Sequence, residues 1–421
     1  MKLGWIDFSP KDRERAIEAL NALRNRTEDE LGTGVVRDAF ANKFFPGTST
    51  IQTRAKYFVL VPCAIRMTLE NISKSTKHQS AMEELRRIEN SCAEQMWATC
   101  GKDERANIIG HQKLDDPKWI VRPPSGIYWA GIRTFGIFIS NIRGLGTWLN
   151  RVSRSASASY GGSKRPRRDD EDGIFDDAYT RFVEWKKDIT IPEDIFRDFS
   201  EACKTKRLSP NLTRREADYL RGCIINSVSG SLLAFHLFPG HVLPRFDRRS
   251  DEEANSEEQT SFYKYVNSLR GRVPPETEAW LDQACAFNRL NFAANVLYNK
   301  MLAVPGAEDI WNQISGNIPG WMTADLPSIR RLSETPLTVS SIKFLGGLQE
   351  KFRARDYTAA EEKIRERELF LSRRKGKKAK LLHPGQLKKW VGVKWHDFRL
   401  DNASRILNDI ANPEQDDYDH V

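Results

Sequence analysis

The first residues to weigh are those whose type and spacing could attack or hold a phosphodiester. His111 and Lys113 begin like the HxK of phospholipase-D-type nucleases, but the acid that motif needs at position 118 is replaced by Lys118. Asp115, Asp116 and Lys118 form an acid–acid–lysine string, the nearest approach to a metal-dependent nuclease site, although such strings arise easily in a chain that is 29% charged. Gly161-Gly162-Ser163-Lys164 lacks the first glycine of a phosphate loop, and no apolar strand precedes it. His236 and His241 flank the turn Phe238-Pro239-Gly240 with no nucleophile or metal-ligand spacing beside them. Cys63, Cys92, Cys100, Cys203, Cys223 and Cys285 contain no CxxC pair. No catalytic residue, metal site or cofactor is assigned on these residues.

Binding chemistry is better represented. From Gly32 to Pro62 a helix, a glycine turn and a hydroxyl-capped segment follow one another in the manner of a helix-turn-helix. The second helix would open with Thr50, Gln52, Thr53, Arg54 and Lys56. Gln52 and Arg54 suit base edges and Lys56 suits phosphate; the alternative is an ordinary helical corner. Between Ser372 and Arg399 stand Arg373, Arg374, Lys375, Lys377, Lys378, Lys380, Lys388, Lys389, Lys394 and Arg399, opposed only by Asp397. Trp390, Trp395 and Phe398 are interleaved, so cations and flat rings are offered together to a polyanion; the alternative turns the rings into a core. Asn288, Asn291, Asn295 and Asn299 recur at helical spacing and form an amide stripe. That stripe is read as a seam for a partner, or as the polar face opposite Phe287, Leu290, Ala294, Leu297 and Met301. Arg165, Arg167 and Arg168 are followed at once by four acids and neutralise themselves.

The elements that must position these groups are mostly helical. The chain has 421 residues, 39% apolar and 10% aromatic, enough to bury a sizeable core, and its formal charge of +9 leans mildly towards polyanion partners. Periodicity predicts helices at residues 34–43, 50–60 (stopping at Pro62), 81–99, 177–187, 192–204, 214–237, 276–303 and 359–372. Strand signals are confined to residues 119–121 and 127–129, so the fold class expected is mainly α with minor β. The polar stretch 153–173 reads as a flexible linker and 247–259 as an exposed loop. The organisation expected is a helical module at 1–150 carrying the helix-turn-helix-like segment 34–60, a charged linker at 151–175 and a helical module at 176–355. A C-terminal helix, basic aromatic arm and acidic tail would follow at 356–421. There is no signal-peptide pattern, and the most apolar stretch, 126–140, is 15 residues long and carries Arg133, so a cytoplasmic protein with no membrane contact is expected.

GWIDFS at residues 4–9, RDAFANKFFPGTSTIQTRAKYFVLVP at 37–62, PSGIYWAGIRTFGIF at 124–138 and AFNRLNFAANVLYNKML at 286–302 together resemble an uncharacterised bacterial domain-of-unknown-function family over nearly the full length. What the resemblance implies is a place beside helicases, phospholipase-D-like proteins or methyltransferases in phage-defence islands, with no catalytic residue to carry over. The function expected is therefore a non-catalytic component of a DNA-directed, anti-phage or restriction-like system that binds nucleic acid, DNA rather than RNA, or acts as an adaptor. Its contacts would be Gln52, Arg54, Lys56, Arg373, Arg374, Lys375, Lys377, Lys378, Lys388, Lys389 and Trp390. Two other readings stand beside it. One is a protein–protein scaffold for a helicase or nuclease, using the asparagine stripe and aromatic surfaces; the other is a cryptic metal-dependent nuclease using Asp115 and Asp116.

Overall fold

Helices in this chain begin where the sequence supplies a cap. Thr213 accepts from the Glu216 amide at 3.3 Å while the Glu216 carboxylate takes the Thr213 amide at 2.9 Å, a reciprocal capping box. Thr335 accepts from the Thr338 amide ahead of a first-turn proline. The computed structural model describes residues 29–74, 80–101, 105, 107–110, 122–160, 185–241, 243, 246, 251, 253–333, 335–374, 376 and 378–414.

In chain order the main helices are α1 (Gly34–Phe44), α2 (Tyr57–Lys74), α3 (Ala81–Thr99), α4 (Pro124–Thr134), α5 (Leu145–Tyr160), α6 (Glu193–Thr205) and α7 (Arg214–Ser227). They continue with the short α8 (Leu232–Phe235), then α9 (Ser261–Leu269), α10 (Pro275–Met301), α11 (Ala307–Ile314), α12 (Pro336–Arg353), α13 (Tyr357–Arg374) and α14 (Leu400–Ala411). Among the described residues the only extended pairings are two isolated bridges, Phe138 with Ile189 and Thr213 with Glu414. The architecture is mainly α. None of the described helices is long and apolar enough to cross a membrane.

The chain divides into two units, each discontinuous in sequence: one of residues 1–44 and 246–401, the other of 45–245 and 402–421. The unit of residues 45–245 and 402–421 is built on α2, whose stretch from Tyr57 to Ile65 is buried on every side. A helix apolar all round has to lie at the centre of its layer, and α3, α4, α5, α6 and α7 all pack on it. Close approach is bought with glycine at one place: a Cβ on Gly131 of α4 would lie 2.3 Å from the Gly47 carbonyl oxygen, so only glycine lets α4 seat against that turn.

In the unit of residues 1–44 and 246–401 the central element is α10, started by Pro275 with Glu276 and Glu278 in its first turn. From Leu281 to Asn299 it is buried almost all round, and α9, α11, α12 and α13 pack on it. Phe40, Phe44, Phe262, Phe287 and Phe398 form its aromatic centre, with ring centroids 4.6–6.3 Å apart.

Several expectations are corrected. The segment 127–129 is not a strand but the body of α4. The helix expected from Thr50 starts instead at Tyr57 and runs through Pro62, which sits inside α2. The helix expected at 214–237 breaks after Ser227, because residues 228–231 turn the chain before α8. The stretch 247–259 is not simply exposed: Asp251, Ala254 and Glu257 are buried, and Asp251 accepts from the Ser261 amide at 2.8 Å. The stretch 153–173 opens as helix, since α5 continues to Tyr160; residues 161–184 lie outside the described residues, as do 119–121.

Candidate nucleic-acid interface

The three residues expected to read bases and phosphate near the N-terminus are interior. Gln52, Arg54 and Lys56 expose 2%, 9% and 4% of their surface. Gln52 closes its own turn: its carbonyl oxygen accepts from the Ser49 amide at 3.0 Å and its amide donates to the Gly47 carbonyl at 3.2 Å. The backbone of Thr53 and Arg54 is pinned by Tyr128, whose hydroxyl accepts both amides and donates to the Arg54 carbonyl at 2.8 Å. The Arg54 guanidinium donates to Asp409 at 3.1 Å and to Asn211. The Lys56 ammonium is held by both oxygens of Glu216, at 2.8 and 2.6 Å. A buried cation must be paired to offset its lost hydration, and here each is. The recognition-helix reading of Gln52, Arg54 and Lys56 is therefore replaced by a structural one.

The asparagine stripe is interior as well. Asn288, Asn291, Asn295 and Asn299 expose 7% or less, so they are neither a solvated face nor a surface for a partner. Their partner is the chain's own backbone. Asn288 donates to the His396 carbonyl and accepts the His396 amide, both at 2.9 Å. Three turns of helix later, Asn299 donates to the Val391 carbonyl at 2.9 Å and accepts the Val391 amide at 2.8 Å. Asn295 reaches the Val393 carbonyl at 3.4 Å, and Asn291 accepts from the Thr33 hydroxyl at 2.7 Å. Primary amides carry a donor and an acceptor side by side, so a column of them on one helix face can bind an irregular segment as a neighbouring strand would. This is why four poor helix formers are tolerated in α10.

That column fixes one end of the basic segment. The other end is fixed by Glu368 of α13, fully buried, which accepts from the Tyr298 hydroxyl at 2.7 Å and from the amides of Lys380 and Leu381 at 2.7 and 3.1 Å. Between the two, the Gly385 amide donates to the Leu302 carbonyl at 2.9 Å. Residues 380–396 thus have three backbone attachments, and within them Lys388 and Lys389 face out.

Of the expected contacts, Arg373, Arg374, Lys378, Lys388 and Lys389 are exposed, and none forms an ion pair with an acid among the described residues. Lys375 and Lys377 lie outside the described residues. Trp390 is half-buried, with the Lys394 ammonium 5.3 Å from its ring centre. Lys394 also donates to Asn255 at 3.1 Å, and burial lowers its pKa. Lys380 pairs with Glu30 at 2.7 Å and Arg399 with Asp38 at 3.3 Å, so these two cations are committed inside the unit. Trp395 and Phe398 belong to the core, Trp395 stacked on Phe292 at 4.0 Å. An aromatic side chain not expected here takes their place. Phe370 is 52% exposed and stands three and four residues before Arg373 and Arg374, on the same face of α13. Its helical spacing to the arginines was the available signal; nothing in the sequence marked Glu368 as the anchor.

A small cleft is lined by Asp29, Thr33, Arg37, Asn295, Tyr298 and His396 among others. Its groups serve the fold. Asp29 accepts from the Thr33 and Gly34 amides at 3.0 and 2.8 Å and so caps α1, while the Tyr298 hydroxyl is given to Glu368. His111, Asp115, Asp116 and Lys118 lie outside the described residues. Among the described residues no cluster of three or more His, Cys, Asp or Glu could hold a metal ion.

Neither a curated protein nor a solved structure matches the chain. A family match covers residues 1–159, which include the first three of the four sequence blocks named above but not residues 286–302. Over residues 1–159 the chain matches the family described as "Family of unknown function (DUF6361)", and in that part it is similar to an uncharacterised domain family.

Proposed function

We propose that this chain is a non-catalytic nucleic-acid-binding component, and that its contact surface is the basic segment from Arg373 to Lys389 with Phe370 beside it. The observation that carries this reading is the contrast in commitment. Arg373, Arg374, Lys378, Lys388 and Lys389 are exposed with no acid paired to them among the described residues; Arg373 and Arg374 stand on α13, and Lys388 and Lys389 in a segment whose backbone is anchored by Glu368 and the asparagine column. A fixed array of unpaired cations suits a polyanion because releasing its counterions is favourable and little ordering entropy is lost on contact. Phe370 adds a flat apolar ring of the kind on which an unstacked base rests. Placement within an anti-phage or restriction-like defence system rests on the family resemblance alone, and DNA is preferred over RNA on the same ground.

The test is fluorescence anisotropy with a labelled oligonucleotide, single-stranded and duplex, at low salt. The Lys388→Glu/Lys389→Glu variant is expected to bind at least tenfold more weakly than the unaltered chain with an unchanged unfolding midpoint. Equal binding by both chains, or no binding by either, would end the reading. The asparagine stripe, engaged internally, offers no support to the scaffold reading.

A further inference from the structure

We propose that Cys92 and Cys203 form a reversible disulfide that ties the end of α6 to the middle of α3, making this unit responsive to hydroperoxides. The two sulfurs are 4.0 Å apart, in contact across 111 residues of chain. The two helices are also tied beside them: the Gln95 side-chain amide, one turn after Cys92, donates to the Cys203 carbonyl at 3.2 Å. Bringing two sulfurs from contact to a bond of about 2.05 Å is a closure of about 2 Å, of the size that side-chain rotation with small backbone shifts supplies.

The pair is also differentiated in the way stepwise oxidation requires. Cys203 is partly exposed near the C-terminal end of α6, whereas Cys92 is buried in the face of α3 that carries Leu85, Ile88 and Met96. The contact between the two sulfurs lowers the Cys203 pKa, and the nearby Lys56 ammonium adds to this; the same contact, with burial, raises that of Cys92. The less buried cysteine is thus also the one whose pKa is lowered. Of the other cysteines, Cys63 is fully buried and held protonated by that burial, Cys223 is raised by burial, and Cys285 is pushed up to about 12.

The chemistry balances with a hydroperoxide as oxidant. The Cys203 thiolate attacks the terminal peroxide oxygen; the O–O bond breaks, an alcohol or water leaves after taking the thiol proton, and Cys203 becomes a sulfenic acid. The Cys92 sulfur then attacks the Cys203 sulfur, the S–O bond breaks, and the Cys92 proton leaves with the hydroxyl as water. Two thiols and one hydroperoxide give one disulfide, one alcohol and one water. A dithiol reductant reverses the bond by exchange.

The experiment uses the full reduced chain treated with one equivalent of hydrogen peroxide, quenched, alkylated with iodoacetamide under denaturing conditions and digested without reductant. The expected result is loss of two of the six alkylatable thiols, a cross-linked peptide pair containing Cys92 and Cys203, and recovery of all six with dithiothreitol. Cys203→Ser, a conservative change at a partly exposed position, is expected to slow thiol loss at least tenfold. Cys223→Ser should leave the bridge intact. The proposal is overturned if all six thiols stay alkylatable, if the bridge joins other cysteines, or if Cys203 is oxidised to a sulfinic acid without pairing.

Discussion

Lys56 and Lys388 are the same residue type, each next to another cation or amide in a segment that looks suited to nucleic acid, and their fates are opposite. Lys56 lies 4% exposed between the two oxygens of Glu216, and its neighbour Arg54 is held by Asp409 and Asn211. Lys388 and Lys389 stand in solvent with no acid among the described residues beside them. The acids that claim Lys56 and Arg54 lie 160 and 355 residues away in sequence. A basic motif therefore becomes an internal brace or an outward array according to carboxylates that local sequence does not display. Lys388 and Lys389 are set outward by polar groups of a different kind, amides and a carboxylate spent on backbone rather than on cations.

The sharpest way to break this comparison is to remove the acid from the buried pair. Glu216→Gln leaves the Lys56 ammonium in the interior without a counter-charge, and a loss of about 3–5 kcal/mol is expected in urea unfolding. Adding Lys56→Met should recover much of that loss. If Glu216→Gln is as stable as the parent chain, Lys56 is not the brace described.

A second buried acid sharpens the point because no cation pairs with it among the described residues. Glu89 accepts from the Ser125 amide and hydroxyl at 2.6 and 3.2 Å, and burial pushes its pKa up to about 7. Between pH 4.5 and 7 the unfolded chain has released this proton while the folded chain keeps it. Stability should therefore fall as pH rises through that window, by about 3 kcal/mol in all at roughly 1.36 kcal/mol per pH unit. Glu89→Gln should flatten that fall in a pH series of unfolding midpoints; an unchanged slope would contradict the assignment.

How much of this was legible in the sequence follows the same division between near and distant partners. Helix existence was readable from periodicity and local caps, and α3 spans the residues expected of it. The spacing of Asn288, Asn291, Asn295 and Asn299 was readable too, and so was its unusual cost in a helix. That their partner would be residues 391–396 was not, because it is an irregular segment with neither helix nor strand pattern: Val391-Gly392-Val393 is too short to register. Burial of Trp395 and Phe398 depended on Phe292, Phe40 and Phe262, none of them near in sequence. Composition along a chain likewise cannot display two units that are each assembled from separated segments.

The anchoring of the basic segment gives a smaller, more specific effect. Asn299→Ala removes both partners of Val391, and a loss of about 2 kcal/mol is expected. Trypsin should then cut after Lys388 and Lys389 faster in the native state, and oligonucleotide binding should weaken although Asn299 is itself buried. Asn291→Ala, whose partner is the Thr33 hydroxyl, should leave that cleavage rate unchanged. The smallest effect on stability belongs to the outward array: Lys388→Gln/Lys389→Gln should move the unfolding midpoint by no more than about 0.5 kcal/mol while lowering affinity for DNA.

The most direct measurement is the salt dependence of DNA binding, taken for the parent chain and for a variant with Arg373, Arg374, Lys378, Lys388 and Lys389 all changed to glutamine. The account expects affinity for duplex to fall steeply with salt in the parent chain, with a slope that shrinks by roughly 0.9 for each removed cation that had met a phosphate. A parent chain whose binding is flat with salt, or a variant with the parent's slope, would contradict it.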